Sequence, residues 1–282
     1  MGRIQLAQPS FANGFARSRG ESVRPDLWPD HAWVPAFGPT GKILIDLCGP
    51  LHMTAVNQPT WGPSGIQISD AINSQISVEA TNATAGPSGT DNYCIVADLY
   101  SESSSNLDSW FAWNNYRPQL IHHVDSQKFG FWDGTYYLFN YVSAINNRYK
   151  IAYNRRTTNT NGLDLYTNGI YRSSITQVQS LGQGTISALR IGWSGVASEH
   201  FTGKIYSILL YGRALNSEEI KELHSDMLLP FRRRQPVFYS VTSAGGGNYS
   251  LTLDGSSYGI SGTASQLIKA TICGLATTSY EQ

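Results

Sequence analysis

From about residue 33 onward, apolar and polar positions are arranged in short runs that end at turn-forming residues. Gly65-Ile66-Gln67-Ile68-Ser69 alternates cleanly and residues 42–47 alternate in part, the two-residue period of strands with one buried face. Residues 93–100 form a near-continuous apolar run from Tyr93 to Tyr100, which predicts a strand covered on both faces. Asp133-Gly134 separates two aromatic-rich runs, 128–132 and 135–142, and Asn168-Gly169 separates 163–166 from 170–171. Both dipeptides supply the positive φ angles of a two-residue hairpin, so two antiparallel hairpins are expected there. Hairpins at this spacing predict a sandwich or a barrel.

One segment breaks the β pattern. Asn216 can cap a helix, Glu219 stands three residues on as its capping-box partner, and Leu215 can staple onto Ile220. Ile220, Leu223 and Met227 then line one face before Pro230. A helix this short is expected to lie on the sandwich by that face, with Glu218, Lys221 and Glu222 in solvent.

Composition agrees with many short strands. Charged residues are 14% of the 282, aromatic residues 12%, and glycine contributes 27. Such a chain covers much of its surface with uncharged Ser, Thr and Asn, and its β-branched and aromatic side chains suit a pleated surface. The formal net charge is zero and the pI about 7, so no overall field draws the chain to nucleic acid or to an acidic membrane. No run approaches the roughly 20 apolar residues of a membrane span, and no apolar leader follows Arg3, so synthesis and retention in a cytoplasm are expected. Cys48, Cys94 and Cys273 are far apart and make no C-x-x-C pair, and are read as buried reduced thiols.

Three regions follow: an extended N-terminal arm over 1–30, a β-sandwich over 31–234, and a small β-rich extension over 235–282. The arm, with its four arginines, three prolines and two breaking glycines, lacks the apolar surface to order itself. Some 45 residues of alternating pattern at the other end give a few strands without a core of their own. Both ends are expected to be held by neighbouring chains.

The run Phe201-Thr202-Gly203-Lys204-Ile205-Tyr206-Ser207-Ile208-Leu209-Leu210-Tyr211-Gly212-Arg213-Ala214-Leu215-Asn216-Ser217-Glu218-Glu219-Ile220 resembles the closing strand and helix of laminin-G-like domains in the concanavalin A-like lectin/glucanase superfamily. Leu163-Asp164-Leu165-Tyr166-Thr167-Asn168-Gly169 is similar to that family's central hairpin, and Leu189-Arg190-Ile191-Gly192 to one of its strands. Ala32-Trp33-Val34-Pro35, Gly38-Pro39-Thr40-Gly41 and Leu44-Ile45-Asp46-Leu47 resemble the opening of its phage and environmental-virus branch. Residues 248–267 resemble elements at the ends of phage structural proteins. The resemblance implies an all-β, concanavalin A-like jelly-roll β-sandwich with one short C-terminal helix. Where relatives carry two acidic residues and a glycine near a calcium ion, this chain keeps only Asp70 of that motif, so no cofactor is expected and Asp70 is the one calcium candidate.

Glycosidases of this fold carry paired carboxylates in an E-x-D-x-x-E pattern on one strand, and the pattern is absent. His122 and His123 are adjacent, so on a strand they point to opposite faces and cannot share a metal. His52, His200 and His224 have no spacing that suggests a triad or zinc site. A non-enzymatic protein is therefore expected. The candidate glycan or partner contacts are the aromatic residues Trp110, Trp113, Tyr116, Trp132 and Tyr136, whose rings can stack on sugars when exposed, with core packing across the two sheets the favoured reading for most of them. The candidate assembly contacts are Arg3, Arg17, Arg19, Arg24, Arg232, Arg233 and Arg234.

With the phage resemblance, these features imply a structural protein made in the host bacterial cytoplasm and displayed on the virion exterior. A capsid decoration or accessory protein is the first expectation, partnered by other virion proteins (capsid or tail subunits) and by copies of itself as a homo-oligomer. A tail or tail-fibre adhesin binding host surface glycans is the alternative. Neither nucleic acid nor membrane is an expected partner.

Overall fold

The computed structural model describes residues 15–16, 18–37, 43–56, 59–62, 65–68, 77–81, 92–102, 107–113, 119–123, 126–132, 134–156, 162–175, 188–193, 199–233, 240–245, 248–253 and 256–261. Its strands, in chain order, are β1 (His31–Trp33), β2 (Ile43–Leu44), β3 (Met53–Val56), β4 (Thr60–Gly62), β5 (Gly65–Ile68), β6 (Ser77–Thr81), β7 (Tyr93–Ser101) and β8 (Leu107–Trp113). They continue with β9 (Gln119–His123), β10 (Lys128–Trp132), β11 (Tyr136–Val142), β12 (Asn147–Arg156), β13 (Gly162–Thr167) and β14 (Ile170–Ile175). After β15 (Ala188–Ile191) and β16 (Gly203–Tyr211) come the helix α1 (Ser217–Ser225) and the strands β17 (Ser240–Gly245), β18 (Asn248–Leu253) and β19 (Ser256–Ser261).

Two antiparallel sheets face each other in the unit Met1–Arg233. The first runs β14-β13-β12-β7-β16-β5-β4, with β1 also paired to β16, and the second runs β11-β10-β9-β8-β15-β6-β3-β2. Strand β7 shows why its sequence is apolar throughout. Tyr93, Ile95, Ala97 and Leu99 face the inter-sheet core, while Cys94 and Val96 belong to a second cluster on the outer side of the first sheet. That second cluster is closed by Ile220 and Leu223 of α1 and by Leu215, just before the helix cap. The capping box forms: Glu219 N–H donates to the Asn216 side chain (2.9 Å) and Asn216 N–H to the Glu219 carboxylate (2.8 Å). The helix stops at Ser225, five residues short of Pro230, and Met227 reaches the cluster from the turn beyond it.

The hairpins differ from expectation in one place. Thr167 pairs directly with Ile170, so Asn168 (φ 51°) and Gly169 (φ 81°) make a two-residue turn as expected. Across the other, Trp132 pairs with Tyr136, so the connection has three residues, 133–135, with Gly134 at φ 118°.

Part of the segment read as an arm lies on the sandwich unit. Leu27 joins the cluster under the helix, Trp28 packs edge-on against Phe231 at 5.3 Å, and Ser22 Oγ donates to the Pro230 carbonyl (2.6 Å). These apolar anchors, interspersed among the arginines, offset the entropy of ordering. Within the unit Arg234–Gln282, β17, β18 and β19 form a three-stranded antiparallel sheet.

Candidate functional site

With its outer side under α1, the first sheet leaves the outer face of the second, which is open at its β10–β11 edge, where Tyr136 is exposed, and covered over Ala112, Gln119 and Ile121. The phase of its side chains is set by the core. Phe129 and Phe131 of β10, Leu120 of β9 and Phe111 of β8 point inward, so Trp132, Gln119 and Ala112 beside them point out. Register then aligns an outward row: Tyr136 opposite Trp132, Trp132 opposite Gln119, Gln119 opposite Ala112, and Ala112 opposite Arg190.

Tyr136 is the open end of this row, 45% exposed. Its ring lies 6.4 Å from that of Trp132 and 5.5 Å, edge-on, from that of His123. His123 is oriented by Ser126, whose hydroxyl lies 3.1 Å from Nδ1. Gly130 sits between the rows; a Cβ there would come within 2.7 Å of Leu138 Cδ2, so the glycine lets the β11 side chains lie close over the sheet.

The polar half of the row begins at Gln119. Its Nε2 donates to Glu199 Oε2 at 2.9 Å, and the residue is 1% exposed. Glu199 reaches it from the segment after β15. Burial raises the pKa of the Tyr136 hydroxyl, and the Glu199 charge raises it further. Carboxylate and phenol therefore share one neighbourhood. Beyond Ala112, the Arg190 guanidinium lies 5.4 Å from the Trp193 ring, which stacks at 5.7 Å on His200.

This arrangement suits recognition of a polyhydroxylated ring. An exposed phenol beside an indole offers an apolar platform, and the half-buried Glu199 carboxylate, held by the buried Gln119 amide, offers an acceptor for hydroxyl groups.

The sequence-predicted residues separate cleanly. Trp132 and Tyr136 meet on the open face. Trp110 does not join them: it is wholly buried, 5.6 Å from Tyr153 in the inter-sheet core, because an irregularity in the β8–β9 pairing between Ser109 and Phe111 turns it inward. Trp113 lies in β8, with its side chain outside the described residues, as are Tyr116, Asp70, Arg3, Arg17 and Arg234. The other arginines meet groups of their own chain. Arg24 pairs with Asp26 at 2.8 Å and with Glu222, Arg232 pairs with Asp226, Arg233 approaches Glu21 at 4.0 Å, and Arg19 Nε donates to the Pro25 carbonyl.

The histidines divide as their adjacency requires. His122 is buried between Ser101 Oγ (2.8 Å) and Ser143 Oγ (2.7 Å), while His123 faces outward. His52 Nδ1 accepts from Asp46 N–H (3.1 Å) and His224 Nδ1 from Gly169 N–H (2.6 Å). Among the described residues no three His, Cys, Asp or Glu side chains gather as a metal-binding group. Asp46 is spent on structure: its oxygens accept from the N–H groups of Ala32, Cys48 and Leu51 and lie 2.7 Å from His31 Nδ1. Burial acts to raise its pKa, but the His31 and backbone hydrogen bonds outweigh it and hold the carboxyl below its usual range.

Sequence reasoning missed Gln119, His123, Glu199, Arg190 and Trp193 as parts of this face. Gln119 and His123 lie on β9, and their side follows from the register of β9 with β10, which no turn dipeptide in the sequence marks. Glu199 lies in a connection, where no period applies.

Residues 74–221, more than half of the chain, match the model of the concanavalin A-like lectin/glucanases superfamily. No curated protein matches the chain in sequence. In structure it is similar to Trypanosoma rangeli sialidase (TM-score 0.54, 15% identity, 71% of this chain and 33% of that one), so it spans about a third of the sialidase's length. It is also similar to domain 4 of the arabinanase AbnA from Geobacillus stearothermophilus, solved with arabinotriose (TM-score 0.46, 13% identity, 61% and 81%). A further likeness is to the Ruminococcus gnavus IT-sialidase CBM40, solved with sialyllactose (TM-score 0.40, 16% identity, 48% and 83%). At these identities the likeness is one of fold. The chain belongs to the concanavalin A-like lectin/glucanases superfamily.

Proposed function

We propose that this member of the superfamily is a non-enzymatic glycan-binding module whose ligand lies on the open face of the second sheet, stacked on Tyr136. The single observation that carries this reading is the exposed Tyr136 ring, flanked by Trp132 and His123 and adjoining the Gln119–Glu199 pair. The absence of E-x-D-x-x-E from the sequence supports binding without hydrolysis. Glu199, the carboxylate hydrogen-bonded to Gln119, serves to orient hydroxyl groups. Binding is read as independent of metal, and a chelator should leave it unchanged. A glycan array probed with the full chain tests the proposal. Saturable binding of a defined set of glycans, lost in Tyr136→Ala, supports it; an array without binding overturns it.

A second reading, a decoration or accessory protein on the exterior of a bacteriophage virion, rests on the resemblance of residues 32–47 and 248–267 to phage proteins. It is compatible with the first if the sandwich is an adhesin on the particle. In that setting Arg24, Arg232 and Arg233 would exchange their intrachain pairs for acidic groups on capsid, tail or identical subunits. Mass spectrometry of purified particles decides it: the chain is present in mature virions, or this setting is wrong.

A further inference from the structure

Arg155 lies near the end of β12 with its side chain turned into the sandwich. Its cross-strand neighbours are Tyr93 on β7 and Leu163 on β13, both part of the inter-sheet core. It is 2% exposed. Its Nε and Nη1 make no hydrogen bond, and no carboxylate among the described residues forms an ion pair with it. The guanidinium carbon lies 6.0 Å from the centre of the Tyr93 ring. Tyr93 is itself fully buried, and its hydroxyl also lacks a hydrogen-bond partner. Nearby, Trp110 Nε1 is buried without a formed hydrogen bond, beside Tyr153, whose hydroxyl is taken by the Gly130 carbonyl (3.1 Å).

The acceptors this end of the core offers are the Tyr93 and Tyr153 hydroxyl oxygens, toward Arg155 and Trp110, and no negative charge among the described residues pairs with the guanidinium. An arginine cannot shed its proton to escape burial. A lone buried cation is destabilising by several kcal/mol unless paired. Water would satisfy the N–H groups but leave the charge unopposed. A single negative charge matches one guanidinium, and the surrounding Leu163, Tyr153 and Trp110, all fully buried, favour a small ion.

We infer that Arg155 and Tyr93 form a site for a small monovalent anion, of halide or carboxylate chemistry, inside the sandwich. The guanidinium neutralises the ion and the Tyr93 hydroxyl donates to it. The site lies between the sheets, apart from the open-face row, and does not depend on what that row binds.

The test is thermal unfolding of the full chain in bromide or formate, with ionic strength held constant by a bulky buffer anion. The melting temperature should rise saturably by a few degrees, and Arg155→Leu should abolish the rise. A response to bromide alone assigns a halide; a response to both, with formate displacing bromide, assigns the carboxylate class. An equal response in wild type and variant overturns the site. If Arg155→Leu does not fold, a bromide-soaked crystal of the wild type gives the answer. Anomalous density within hydrogen-bond reach of Arg155 Nε or Nη1 is expected. Its absence, or a carboxylate of this same chain in that place, contradicts the inference.

Discussion

The Asn154 carboxamide and the main chain of Leu215 exchange two hydrogen bonds, each 2.9 Å, in which Leu215 N–H donates to Oδ1 and Nδ2 donates to the Leu215 carbonyl. Asn154 is fully buried on β12, and Leu215 precedes the N-cap of α1, so one side chain fixes where the helix begins. Asn154→Ala leaves the Leu215 N–H buried without a partner, while Arg156 still donates to the carbonyl (3.3 Å). A loss of about 2–3 kcal/mol in unfolding free energy is expected, measured by urea titration with an unchanged m-value.

Gly203 opens β16 at φ 146°, and a Cβ there would stand 1.9 Å from the Tyr100 carbonyl oxygen. Neither the backbone angle nor the neighbouring main chain can yield cheaply. Gly203→Ala should destabilise the sandwich by about 3 kcal/mol or more, read as a lower urea midpoint or loss of soluble chain.

His122 and His224 predict acid sensitivity. Burial pushes each pKa down to about 4, more than offsetting the backbone contacts that favour protonation. An unfolded histidine takes up its proton near pH 6.5. Between these values the unfolded chain binds more protons than the folded one, so stability is full above about pH 6.5 and falls as pH drops toward 4. Urea midpoints across that window should decline, and His122→Asn should flatten part of the decline.

On the open face, Tyr136→Ala removes the stacking ring from a site that is 45% exposed, so glycan affinity should fall at least tenfold with the melting temperature within a degree or two of wild type. Gln119→Ala should weaken binding as well, and it should also loosen the Glu199 segment, since Gln119 is almost fully buried. Isothermal titration with the same glycan, paired with thermal melts, separates the two effects.

What could be read from the sequence follows from how locally each feature is encoded. The Asn168-Gly169 turn, the two-sided burial of β7 and the Asn216–Glu219 cap each depend on residues a few positions apart, and each formed as its pattern requires. The opposite facing of His122 and His123 is strand geometry alone. Which of the aromatic residues pack inside could not be read residue by residue: Trp110 joins the core because an irregularity in pairing shifts phase by one residue, and only the register with β9 shows it. Glu199 joins Gln119 across 80 positions, a meeting decided by the path of the chain over the sheet. Leu27 and Trp28 were obscured by the arginines and prolines around them.

The most direct measurement of ligand placement follows the tryptophan indole and glutamine amide resonances of the full chain during titration with the best glycan from the array. The Trp132 indole and Gln119 amide should shift together and saturate, while the indole of the buried Trp110 stays in place. Saturable binding that moves neither Trp132 nor Gln119 would contradict a ligand seated on Tyr136.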